Sequence, residues 1–123
     1  MALSKTSENI IRIGVKALED KKAENIKIID ISEFSVICDA LVIASGNNVN
    51  QIKALSDAVE EELDKSNIHF LSHEGYDKAN WILMDYNDVI FHIFDKDSRN
   101  FYDLERLYRD GKNVEDLIKS LTE

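Results

Sequence analysis

The chain has no proline, a single cysteine, a single tryptophan and only four glycines, and each shortage removes a class of protein. A lone Cys38 cannot form an internal disulfide, which fits a reducing compartment. Gly14, Gly46, Gly75 and Gly111 are scattered, so there is no glycine-rich phosphate loop. No repeat or low-complexity run marks a linker. The longest apolar runs, such as Ala40 to Ala44, fall far short of the roughly 20 residues a membrane helix needs. Ser4-Lys5-Thr6-Ser7-Glu8 reads as a helix start rather than a targeting segment. Basic residues are also scarce: fifteen Lys and Arg face twenty-four Asp and Glu, a net charge of −9. Phosphate backbones repel such a chain, so direct nucleic-acid specificity is not expected. A basic partner is expected, with charge kept for solubility as the plainer alternative.

What is present suffices for a core. At 44% hydrophobic and 32% charged, 123 residues make an ordinary globular domain that needs neither metal nor disulfide. The expectation is one soluble, cytoplasmic domain over residues 1–123, with 112–123 as a helical extension. Ile10, Ile13, Gly14, Ala17 and Leu18 predict a helix over about 5–21. Residues 26–31 read as a strand, and 40–44, apolar on both faces, as a central one. Asn48 with Gln51 suggests a capping box before the stripe Ile52, Leu55, Val59 and Leu63. Residues 68–72 suggest a short strand. Ser98 or Asp97 is expected to cap a helix anchored by Phe101, Leu104 and Leu107 and stopped at Gly111. A last helix is expected through Val114, Leu117, Ile118 and Leu121. The order α-β-β-α-β-β-β-α-α predicts an α/β domain: a mixed sheet flanked by helices, parallel around the long helix and antiparallel at a hairpin.

Few residues suggest chemistry. Ser45-Gly46 before a helix could hold a phosphate, but lacks the rest of any phosphate-binding motif and reads better as a plain turn. His69 and His73 are four apart on a presumed strand, too far for one small ion, and no zinc spacing is present. Asp39 beside Cys38 pushes its thiol pKa upward, away from a nucleophile's. Asp95-Lys96-Asp97 could hold magnesium, yet capping and solvation explain it more simply. No catalytic residue, cofactor or metal is expected.

The strongest local signal is a hairpin of Trp81–Asp85 and Asp88–Phe94 with a two-residue loop at Tyr86-Asn87. That register pairs Asp85 with Asp88 and Trp81 with His92. One face, with Ile82, Met84, Val89, Phe91 and Ile93, is core. The other combines Trp81 and His92 with two like charges at the tip, which a partner's cation would relieve. Glu74 and Tyr76 could widen the patch. The candidate partner-binding residues are therefore Trp81, Asp85, Asp88, His92, Glu74 and Tyr76. The opposing reading is that a helix covers this face.

Taken together, His73-Glu74-Gly75, Trp81-Ile82-Leu83-Met84-Asp85, His92-Ile93-Phe94 and Arg99-Asn100-Phe101-Tyr102-Asp103-Leu104-Glu105-Arg106-Leu107 resemble the ribosomal silencing factor, or Iojap, family. Lys21–Ile26 and Cys38–Gly46 agree, so the resemblance runs from about residue 8 to 110. Tyr108 stands where the family usually has Trp, Ala40 where it has an aromatic, and Asn50 where it is often basic. The resemblance implies a nucleotidyltransferase-like fold without catalytic acids. It implies docking on the large ribosomal subunit, through the fourteenth-named ribosomal protein of its intersubunit face. Subunit joining is then blocked and translation falls when nutrients are short. Turnover of a substrate is not implied; a nucleotide-binding module at Ser45-Gly46 is the alternative. Exposed apolar strand surface adds a possible homodimer.

Overall fold

The structure, a computed structural model, describes residues 3–32 and 38–104, together with the backbone of 112–113. Helix α1, Lys5–Asp20, starts at Ser4, whose hydroxyl accepts the Ser7 N–H at 3.1 Å. Its buried stripe includes Ile10, Ile11, Val15 and Leu18, spaced as one helical face. Gly14 lies on that stripe because a Cβ there would stand 2.3 Å from the Phe91 ring; the helix crosses the sheet too closely for a side chain. Strand β1, Glu24–Asp30, carries a bulge between Glu24 and Lys27, where Asn25 takes φ 50°. Strand β2, Ala40–Gly46, is buried along its whole length. Helix α2, Val49–Lys65, is capped by Asn48, whose side chain accepts the Gln51 N–H at 2.8 Å. Gln51 reaches back one residue further than a capping box requires, accepting the Asn47 N–H at 2.6 Å.

Strands β3 (Ser72–Glu74), β4 (Trp81–Asp85) and β5 (Val89–Asp95), helix α3 (Lys96–Tyr102) and strand β6 (Lys112–Asn113) complete the order. The sheet runs β3-β4-β5-β2-β1-β6. Among the described residues, β2 and β5 pair in parallel, with α2, β3 and β4 between them along the chain, and the other pairs are antiparallel. The mixed α/β sheet expected from the element order is the one observed. Helices α1 and α2 cover one face, closing a core over Ile28, Val42, Met84, Phe91 and Ile93. The opposite face gathers Ile29, Leu41, Ile43 and Phe94 into a second, smaller cluster. Among the described residues no helix is long and apolar enough to cross a membrane.

Five expectations need correction. The hairpin register is shifted: Trp81 pairs Phe94, Leu83 pairs His92 and Asp85 pairs Ile90. Tyr86 is the reason. Tyr86 is 4% exposed and its ring meets Phe91 edge-on at 5.6 Å, so its backbone stays in the ladder and its main-chain N–H donates to the Val89 carbonyl at 2.9 Å. The loop becomes Asn87-Asp88, with Asn87 at φ 72°, a conformation asparagine tolerates better than tyrosine. Residues 68–70 are not strand; Ile68 and Phe70 turn into the helix-side core, and β3 begins at Ser72. Helix α3 is capped by Asp95 rather than Asp97 or Ser98, and Asp103 ends it at φ 48°. Phe101, expected to anchor that helix, is 81% exposed. Finally, 112–113 pair with β1 as a strand; Leu107, Gly111 and the helix expected over 114–121 lie outside the described residues.

Candidate docking surface

The period of two along β4 places Trp81, Leu83 and Asp85 on the sheet face away from α1 and α2. Ile90, His92 and Phe94 of β5 share that face. Trp81 stacks on Phe94 with centroids 5.0 Å apart, and Tyr102 from α3 closes on it at 4.5 Å. The indole N–H donates to His92 Nδ1 at 3.0 Å. An indole nitrogen can only donate, so the imidazole is neutral and carries its proton on Nε2. Burial agrees: His92 is 7% exposed and its pKa is lowered to about 4. His92 therefore lies too deep to touch a partner, and it fixes the angle of a tryptophan that is only half-buried.

Beyond Trp81 the face remains apolar and partly open. Leu83 and Ile90 are each half-buried. Glu74 lies opposite Leu83 on the exposed β3 edge. Asp85, about 13 Å along the strand from Trp81, accepts the Asn87 N–H at 2.8 Å and thereby holds the turn. Asp85 and Asp88 are not cross-strand partners. The repulsion read from the sequence is instead spread around Cys38, which burial, Asp85, Asp39 and Asp88 push up to about 11. Cys38 stays a thiol at neutral pH, in line with the direction inferred from Asp39.

Tyr76 does not widen this patch. Its hydroxyl donates to Asp57 of α2 at 3.1 Å and Lys53 lies over its ring, both on the helix side of the sheet. The other candidates are equally accounted for. His69 bonds Asp64 at 2.7 Å, and His73 meets Phe70 edge-on. Asp95 accepts the Ser98 N–H as a cap. Among the described residues no three His, Cys, Asp or Glu side chains converge on a metal-sized site. The Ser45 hydroxyl accepts from the buried Arg99 at 2.8 Å. Two features escaped the sequence: Tyr102 as the second plate against Trp81, and Phe101 exposed at its edge, 5.1 Å from Tyr102. Neither has a local signal, because both depend on where α3 lands.

A family model described as "Ribosomal silencing factor during starvation" matches residues 4–123. The chain belongs to that family. It is 36% identical over 104 residues to the ribosomal silencing factor RsfS of Bacillus subtilis (strain 168), covering 85% of this chain and 88% of that one. It is 30% identical over 101 residues to the chloroplastic Iojap protein of Zea mays, covering 81% of this chain and 43% of that one. A crystal structure of a Chromobacterium violaceum protein superposes with a TM-score of 0.80 at 30% identity, over 82% of this chain and 84% of that one. The bacterial relatives are named as silencing factors and not as enzymes.

Proposed function

We propose that this ribosomal silencing factor binds the large ribosomal subunit through the basic, fourteenth-named protein of its intersubunit face. Its bulk there keeps the small subunit away, and translation falls when nutrients are short. No bond is made or broken; the mechanism is occlusion, and the site of action is the cytoplasm. The observation that carries the reading is the half-buried strip of Trp81, Leu83 and Ile90 with Glu74, Asp85 and Asp88 around it. An apolar centre with a charged rim is the common anatomy of a protein interface. Here the rim has the sign a basic partner needs, on a chain of net charge −9. Trp81 is already immobilised by Phe94, Tyr102 and His92, so little side-chain entropy is lost on docking. In the free protein the same strip supports a homodimer, and a docked partner displaces the second copy.

Co-sedimentation with separated subunits tests the reading, together with light scattering to follow subunit joining. The factor should pellet with large subunits and slow their joining to small ones. Equal pelleting with small subunits, or joining at an unchanged rate, would falsify it.

A further inference from the structure

On the helix side of the sheet, away from the proposed docking strip, one buried polar group has no role in the fold. Tyr86 is 4% exposed, and its hydroxyl has no hydrogen-bond partner. Among the described residues one other buried side-chain oxygen lacks a hydrogen bond, Glu24 Oε2, and that atom is ion-paired with Lys96 at 3.0 Å. Leaving a buried hydroxyl unpaired is destabilising, and native folds rarely do so without a reason. Burial first, then the carboxylates of Glu60 and Asp64, keep the Tyr86 hydroxyl protonated. The hydroxyl end of the ring therefore lies toward the acidic face of α2, as a donor.

Asp57, Glu60, Glu61 and Asp64 line that face, at i, i+3, i+4 and i+7, around a space of about 560 Å³. Lys65 borders it too, but is held by Glu62 at 2.8 Å and Glu61 at 3.9 Å. Asp57 accepts from Tyr76, and Asp64 from His69. Glu60 is half-buried and pairs with none of the described residues. The face thus holds a carboxylate without a cation and a buried donor without an acceptor, and in this conformation neither satisfies the other. No three His, Cys, Asp or Glu side chains among the described residues converge on a metal-sized site, so the fit is to an organic cation. Glu60 and Asp64 stand one turn apart, about 6 Å along α2. Alternate side chains of an extended chain are about 7 Å apart. We infer that this face binds an extended basic segment of a partner protein, with two alternate arginines on Glu60 and Asp64. Glu60 turns inward to hold the first guanidinium, and its second oxygen then accepts from Tyr86. The net charge of −9 draws such a segment in.

Isothermal titration of the full chain tests this with the blocked peptide Gly-Arg-Gly-Arg-Gly, its glutamine counterpart and putrescine. The arginine peptide should bind saturably, the glutamine peptide should not, and putrescine should bind at least about tenfold more weakly, lacking the planar fork. Glu60→Gln should weaken binding at least about fivefold, as loss of a charge-assisted contact does. Glu19→Gln makes the same charge change at an exposed position of α1 and should weaken it less than about twofold. Tyr86→Phe keeps the ring and the net charge. It should weaken binding about threefold without lowering the urea midpoint of the free protein, because the hydroxyl has no partner there to lose. Equal losses in the two glutamine variants would mean diffuse charge and overturn the inference. So would putrescine matching the peptide, or a Tyr86→Phe variant that is less stable yet binds as the parent does. The absence of saturable heat below about 10 mM peptide would also overturn it.

Discussion

Trp81 and His92 make one unit, in which the buried imidazole accepts from the half-buried indole, and the consequence is measurable in acid. In the unfolded chain His92 titrates near 6.5, and in the fold near 4. Between those values the unfolded state binds more protons, so stability falls as pH falls through the window and is whole above it. Urea unfolding at about pH 7.5 and about pH 4.5 should show the parent losing about 2–3 kcal/mol more than His92→Asn. An identical loss in both would mean that the imidazole protonates in place. Trp81→Phe keeps a ring between Phe94 and Tyr102 but removes the donor, and should cost about 1–3 kcal/mol of stability. Ribosome affinity should survive that change, whereas Trp81→Ala should lose about 30-fold, or about 2 kcal/mol. Asp85→Asn should leave stability within about 0.5 kcal/mol, since an amide oxygen can still accept the Asn87 N–H. Its effect should appear in binding alone.

At the scale of elements, the proposed docking strip depends on the segment that feeds β4. Gly75 sits at φ 84°, and a Cβ there would stand 2.0 Å from the Trp81 carbonyl oxygen. Backbone cannot yield as a side chain can, so Gly75→Ala should destabilise by about 2–4 kcal/mol and displace Trp81. Chemical denaturation together with the Trp81 fluorescence maximum checks both; an unshifted spectrum with unchanged stability would contradict the geometry. Asn48→Ala removes the cap of α2 and should cost about 1 kcal/mol without touching docking. These elements were readable to different depths. The caps at Ser4 and Asn48 and the buried β2 follow from local chemistry. The hairpin was legible but its register was not, because an even shift leaves every side chain on the same face. Only the burial of Tyr86 against Phe91 selects it.

Across the whole molecule, charge is the long-range property. A chain of −9 approaching a basic surface is steered over distances that salt screens beyond about 8–10 Å at physiological ionic strength. Stopped-flow association with large subunits should slow steeply as salt rises, while dissociation changes little. A flat association rate would show that the apolar strip alone governs encounter.

Composition, period and motif were enough for the class of fold, the acidic balance, the apolar face of the hairpin and the family. Each of these depends on residue types and spacings within one segment, or on a pattern spread along the chain. Three things needed the folded chain: that Tyr76 stands on the helix side, that His92 is buried beneath Trp81, and that α3 brings Tyr102 to the indole and Arg99 to Ser45. The physical reason is the same in each case. Exposure and contact across a sheet depend on which residues arrive from distant segments, and no local propensity encodes the arrival.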